Sequence, residues 1–460
     1  MNLTDKHRDW YIVGATVLFF ILTKLSMLSF RFGDENVYFY MSDAILRGFI
    51  PHKDFFLADP PLFVYIMAGF KALFGSHLIL FKTLPILFDS ISAILIYLLL
   101  KGRNSLAFLG PIFYLASFTV ISTSDYVTGA EIMIPFVLLA LLLDQRSKPF
   151  WSGVFWAMAC LCKLYAGPAL IGFLLYKLIK KEFHTIKNVI LGGLITSLII
   201  LAPFFILALE QIFYNLITHQ FNRPAGLDKW NIFHFFINFE WLLILASIWG
   251  AIKTKNKIFI YPLVLSTLFF LFYKDLYFLY LHILMPFFVI LAVECVEYLY
   301  NKQKEIVFVF LVIMFGNFLY GTSLYLKIYQ PQGIFNNPEE ISEALKNTGD
   351  DFPIYGIQEV APLIALYSDK KIFNNIIDTN TQNFASGTHN LDQISKDAVE
   401  RGIYLVARTG EYPEQNIKDT GFEGYFNREL FESSCVTYKS FSRPSPDDTM
   451  NKIVIYRCKK

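Results

Sequence analysis

Long apolar runs alternate with short polar connections from Tyr11 to Leu326, and there the pattern stops. The first run covers Tyr11 to Phe30, and others follow at 78–100, 106–123, 131–143, 151–163, 165–179, 188–209, 240–252, 258–273, 277–299 and 306–326. Such runs read as membrane-crossing helices, about eleven in all, several of them short for a hydrocarbon core of roughly 30 Å. The first run lacks a small-residue cleavage site and is long enough to span, so it reads as a retained span and not as a removable leader.

The stretch 31–75 breaks this pattern. After Asp34-Glu35, the residues Val37, Tyr40, Met41, Ala44 and Ile45 share one helical face, while Asn36, Asp43 and Arg47 share the other. Gly48 ends that helix and Pro51 prevents its resumption. Beyond a polar turn with Asp54 and Asp59, Pro60-Pro61 opens an apolar helix from Leu62 to Phe74, closed by Gly75. It is short for a span and carries Lys71, so both helices are expected to lie along the membrane interface; an ordinary span at 61–75 is the plainer alternative.

From Lys327 the sequence becomes that of a soluble domain. Asn337-Pro338-Glu339-Glu340 reads as cap, first-turn proline and first-turn acids of a helix running to Asn347. Strand-like runs follow at Pro353–Ile357, Ile403–Ala407, Cys435–Phe441 and Lys452–Cys458. The expected fold is therefore an α-helical polytopic membrane protein. Residues 1–326 would form the membrane domain, with an external loop at 31–77, and residues 327–460 a small soluble α/β domain.

Composition agrees: of 460 residues 55% are hydrophobic and only 17% charged. A net charge of +2 gives no footing for nucleic acid. The basic residues serve better to orient the spans. Lys6 and Arg8, Lys101 and Arg103, Arg146 and Lys148, Lys177 to Lys187, Lys253 to Lys257, and Lys302 with Lys304 fall in alternate connections, which are expected on the cytoplasmic side. The N-terminus would then be cytoplasmic, and 31–77, the loop 210–239 and 327–460 would lie outside. Cys160, Cys162 and Cys295 sit in apolar runs as small hydrophobes, while Cys435 and Cys458 stand at strand ends and could be bonded or unpaired.

Acids gather on the expected outer side: Asp34, Glu35, Asp54, Asp59, Asp125, Glu131, Glu210, Asp228 and Glu240. A carboxylate held near a reacting hydroxyl is a general base, although most of these read as solvated acids or helix caps, and Asp34 itself fits a helix cap as well. Lys24, Lys82 and Lys163 lie in apolar sequence toward the outer side, against the usual bias. A lipid phosphate would use them, whereas Lys24 and Lys71 taken singly read as snorkelling side chains. Lys163 sits at the tip of a tight hairpin, and Arg223 in NRPAG offers a charge clamp or a plain surface residue. Asp89 lies well inside a span and is expected to pair with a basic neighbour, while His219, His234 and His282 lack metal-ligand spacing and read as interfacial or packing residues.

The order Asp34-Glu35-x-x-Tyr38, Ala44-x-x-x-Gly48, Pro51-x-x-Asp54, Pro60-Pro61-Leu62 and Phe74-Gly75 resembles the first external loop of the type-C integral-membrane glycosyltransferases. The likeness is to the group holding the lipid A aminoarabinose transferase and the protein O-mannosyltransferases. It continues through Lys82, where the family usually has Arg, then Glu131 and the hairpin GVFWAMACLCKLYAGPAL with Lys163. The resemblance implies an inverting transferase that takes a sugar from a polyprenyl-phosphate donor among the membrane lipids and passes it to an acceptor of unknown identity at the outer face. Asp34 would be the base and Glu35 a supporting acid. Lys163 and Lys82 would meet the donor phosphate, and Tyr38, Asp59, Glu131 and Arg223 would complete the substrate site. Asp59 replaces the family's basic residue before the Pro-Pro step. No cofactor is implied where lysines supply the charge, and a divalent metal stays open. The competing readings are a transporter or flippase of lipid-linked substrates, which would favour midplane charges and repeats that this chain lacks, and a non-catalytic receptor.

Overall fold

The computed structural model describes residues 3–30, 33–75, 77–254, 256–328, 338–412, 417–419, 421–442 and 452–460. The chain falls into two compact units. One is built from 1–28, 82–202 and 225–330, the other from 29–81, 203–224 and 331–460.

The first unit is helical. Leu78–Leu100, Phe183–Leu207, Lys229–Lys253, Phe278–Tyr300 and Lys304–Lys327 are long and apolar enough to cross a bilayer, which makes this a multi-pass membrane protein. Pro149–Cys162 and Ala166–Ile179 are apolar but shorter. Among the described residues five helices have the length and apolarity of a span and others are shorter, so the expected count of about eleven is not confirmed. Two runs differ from expectation for identifiable reasons. The run 106–123 is divided into Leu109–Ala116 and Phe118–Thr123, because Ser117 turns extended and its side chain accepts a hydrogen bond from the Val120 N–H. The expected loop 210–239 is largely helical. Lys229–Lys253 starts well before position 240, with the Asp228 side chain accepting from the Trp230 N–H at 2.9 Å.

Small residues let these helices approach closely. A Cβ on Gly250 would lie 1.9 Å from the Leu291 carbonyl oxygen, and one on Gly153 would lie 2.0 Å from that of Val189. With lipid on the outside, such backbone proximity supplies packing that a hydrophobic driving force cannot.

Several buried polar groups inside the unit are paired. Lys24, expected to snorkel, is instead buried: its Nζ donates to Asp125 Oδ1 at 2.8 Å, the Ile121 carbonyl at 2.8 Å and Tyr325 Oη at 2.9 Å. Asp89 does have a partner from a neighbouring element, His282, at 3.3 Å. Tyr114 donates to Asp89 Oδ1 at 2.7 Å and lies 3.0 Å from His282 Nε2, while His282 Nδ1 lies 3.0 Å from Thr123 Oγ1. Thr119 donates to Glu240 Oε1 through both its N–H, at 2.8 Å, and its hydroxyl, at 2.7 Å. Glu240 is therefore an interior hydrogen-bonding residue, not an external loop acid.

The second unit joins the unusual stretch to the C-terminal residues. Glu35–Leu46 forms the expected helix; Gly48 takes φ 94° just beyond it, and Leu62–Phe74 packs against it. Lys71 does not snorkel but pairs with Asp43, which also bonds Arg47 Nε at 2.9 Å. The strands are β1 (Ile354–Gly356), β2 (Ile403–Tyr412), β3 (Ile417–Asp419), β4 (Cys435–Ser442) and β5 (Lys452–Cys458). Their order is β1-β2-β5-β4, with β3 on β2. β1 runs parallel to β2, which requires the crossover through helices Ala361–Ser368 and Leu391–Arg401, and the other pairings are antiparallel. Ile403, Leu405, Ala407, Tyr355, Phe422 and Phe426 fill the core of this sheet. Helix Pro338–Lys346 matches expectation, while its proposed cap Asn337 lies outside the described residues, as do Arg31 and Phe32 at the start of the external stretch. Cys435 and Cys458 face each other across β4 and β5 and form a disulfide, Cα to Cα 4.0 Å.

Candidate active site

Of the residues singled out by sequence, the second unit gathers Asp34, Glu35, Tyr38, Asp59 and Arg223. Asp34 stands at the mouth of helix Glu35–Leu46, where capping preference would place it, yet its side chain makes no capping hydrogen bond. Its Oδ1 accepts from Gln358 Nε2 at 3.0 Å instead. Next to it Glu35 is fully buried, and Asn36, expected on the polar face, is also buried and donates to the Glu359 carbonyl at 2.5 Å. One turn on, Tyr38 donates to Asp59 Oδ2 at 3.2 Å, so the acid before the Pro-Pro step is tied to the helix that carries Asp34.

Two histidines of the same unit feel the charge of Asp59. His52 Nδ1 lies 3.1 Å from Asn215 Nδ2, and burial pushes its imidazole from 6.5 down to about 4, against the pull of Asp59. His219 is 1% exposed, stacks edge-on to Phe56 at 4.9 Å and lies 2.9 Å from Thr388 Oγ1. Burial first, then the charges of Arg223 and His389, bring it to about 4, again opposed by Asp59. Arg223 Nε donates to Gln382 Oε1 at 2.9 Å, and a second guanidinium N–H reaches the same oxygen.

The remaining candidates belong to the first unit. Lys82 closes the turn Leu78–Lys82 ahead of helix Thr83–Leu100 and is fully buried. Lys163 is 5% exposed and sits in extended backbone between Pro149–Cys162 and Ala166–Ile179, the hairpin tip that the sequence indicates. Glu131 accepts from the Thr128 N–H at 3.3 Å and its hydroxyl at 3.0 Å, a capping arrangement at the start of helix Ala130–Gln145. Among the described residues no group of His, Cys, Asp and Glu is arranged to hold a metal.

Sequence reasoning missed Gln358, Gln382, Thr388 and the role of His219. None stands in a motif. Each is a polar residue whose partner lies more than a hundred positions away, and only the fold brings the two together.

Residues 58–207 match the dolichyl-phosphate-mannose-protein mannosyltransferase family. Among solved structures the chain is similar to ArnT from Cupriavidus metallidurans bound to undecaprenyl phosphate, with TM-score 0.65 and 13% identity over 97% of both chains. It is equally similar to the apo state of that protein, with TM-score 0.67 and 12% identity over 98% of both. No curated protein sequence matches the chain. The fold is thus that of ArnT, a type-C membrane glycosyltransferase fold, and within it residues 58–207 carry the sequence pattern of the dolichyl-phosphate-mannose-protein mannosyltransferases.

Proposed function

We propose that this protein is an inverting membrane glycosyltransferase that moves a sugar from a polyprenyl-phosphate donor to an acceptor hydroxyl at the outer face of the membrane. Asp34 takes the acceptor proton and Glu35 supports it. Lys163, Lys82 and Arg223 meet the negative charge that grows on the departing lipid phosphate, so that the reaction needs a base and cations but no redox partner. Tyr38 and Asp59 shape the sugar site. In this reading the N-terminus is cytoplasmic, and the stretch 31–77 and the C-terminal domain are external.

The observation that carries the proposal is the state of Asp34. It occupies a helix-cap position without capping, is held by a neutral amide, and sits in the stretch that resembles the family's first external loop. The test is sugar transfer by purified protein in liposomes supplied with a polyprenyl-phosphate sugar. Asp34→Asn keeps shape but removes basicity, and a loss of roughly 10²–10⁴-fold in turnover is expected with normal insertion. Near wild-type turnover by this variant would sink the assignment, and a wild-type protein that moves the lipid-linked sugar across the bilayer without cleaving it would replace the enzyme with a flippase.

A further inference from the structure

Two connections of the first unit bring four tyrosines together. One is the hairpin tip, where Tyr165 follows Lys163 at the mouth of helix Ala166–Ile179. The other is 273–280, which follows helix Ile260–Phe272 and runs into the short helix Phe278–Leu284; it carries Tyr273, Tyr277 and Tyr280. Between ring centroids Tyr165 lies 4.6 Å from Tyr280 and 5.7 Å from Tyr273, and Tyr277 lies 5.6 Å from Tyr280. The Tyr165 and Tyr273 hydroxyls approach to 3.4 Å. Phe270, fully buried, backs Tyr165 at 6.0 Å, whereas all four tyrosines are half-buried. The 273–280 connection is held in place by Gly226, whose N–H donates to the Lys274 carbonyl at 3.1 Å. A Cβ at that glycine would lie 2.0 Å from Asp275 Oδ1, so no other residue lets the two segments approach as closely.

The aromatic residues here are sorted by chemistry. Phe278, which has no hydroxyl, packs with Phe118, Phe235 and Phe236, while the tyrosines pack with one another. Tyrosines that anchor a protein at the membrane surface act singly, each with its ring among the headgroups. Four rings in mutual contact, two of them with paired hydroxyls, make a patterned surface instead. A sugar matches that pattern. Its C–H groups carry partial positive charge and lie against the negative face of a ring, and its hydroxyls exchange hydrogen bonds with phenols. Such a surface needs exposed rings, not an unpaired hydroxyl or an uncompensated charge. We propose that Tyr165, Tyr273, Tyr277 and Tyr280 form the platform for the sugar ring of the lipid-linked donor. The inference rests on the reading above in which Lys163 meets the donor phosphate. A glycosyl phosphate joins its sugar to phosphorus through a single oxygen, so the sugar lies beside whatever holds the phosphate, and Tyr165 is the first aromatic residue after Lys163.

The experiment uses the full-length protein in lipid nanodiscs. Native mass spectrometry compares the binding of bare undecaprenyl phosphate with that of undecaprenyl phosphate carrying mannose, glucose or galactose. Wild type is expected to hold one of the three glycolipids about 10-fold more tightly than the bare lipid phosphate. Tyr165→Leu, and Tyr277→Leu at the edge of the cluster, should abolish that preference while bare-lipid binding stays at the wild-type level, and Tyr165→Phe, which keeps the ring, should retain most of it. A tyrosine that serves only packing or anchoring moves both lipids alike or neither. No preference in wild type, a preference that survives both leucine changes, or equal weakening of bare and glycosylated lipid in both overturns the inference. Lys163→Ala tests the reading beneath it and is expected to weaken all four lipids. If it weakens none while the leucine variants still lose the preference, the phosphate role of Lys163 fails and the sugar platform stands.

Discussion

At the scale of the residue, the interior lysine shows how far side-chain chemistry can be read from a linear sequence. Lys24 looked like a cation that would bend toward water, because its neighbours in sequence are apolar and offer it nothing. Its partners are Asp125, 101 positions away, and Tyr325, 301 positions away, and Tyr325 also donates to Asp125 Oδ2 at 3.0 Å. Removing one member of such a buried pair leaves an uncompensated charge. Lys24→Met is accordingly expected to cost about 3–5 kcal/mol of stability, and the double change Lys24→Met with Asp125→Asn much less. Thermal unfolding in detergent reads this directly, and equal losses in the single and double variants would show that the pair is not the source. The same reason limits what was legible at the site. Asp34 stands in a local pattern, whereas Gln358, which donates to it, lies 324 positions away in a segment with no pattern of its own.

At the scale of the element, the apolar run proved a sound guide to helix existence and a weaker one to helix ends. Ser117 breaks one run because its hydroxyl supplies a cap, and the Lys229–Lys253 helix reads shorter in sequence because Asn231, His234 and Asn238 dilute its hydropathy before position 240. Glu240 belongs there because Thr119 satisfies it. The histidine-bearing segments of the second unit carry a prediction of their own. His52 and His219 are neutral in the folded protein, with values lowered from 6.5 to about 4. Between these limits the unfolded chain binds protons that the folded chain does not, so their contribution is complete above about pH 6.5 and is lost as pH falls toward about 4. Glu359 works in the opposite sense, since burial raises its carboxyl and favours the folded protein on acidification, though Arg408 opposes this. Comparing His52→Asn/His219→Asn with wild type removes that background. The wild-type unfolding temperature should fall between about pH 7 and about pH 5 by more than that of the double variant. Identical slopes would mean that the imidazoles are not the groups that titrate.

At the scale of the whole molecule, fold class was readable because the membrane imposes it: long apolar runs and a sharp change near position 327 leave few alternatives. What could not be read was the membership of the second unit, in which residues 29–81, 203–224 and 331–460 form one compact body. Nothing in hydropathy joins pieces so far apart. The match over 97% of the chain at 13% identity makes a related point, since patterning and packing can persist while nearly all side chains change.

The bond between Cys435 and Cys458 bears on a question that geometry leaves aside, namely which way the protein faces. A disulfide persists where the surroundings are oxidising, and on the reducing side of a cell membrane the same two thiols would stay open. The other cysteines, Cys160, Cys162 and Cys295, are free and lie within apolar helices, so the native chain already carries its own marker of sidedness without engineered labels. In intact cells, a bulky maleimide that cannot cross the membrane should add nothing before reduction and two adducts after treatment with an impermeant reductant. Adducts that appear only once the cells are opened would place the C-terminal domain on the inner side, and with it the chemistry proposed for Asp34.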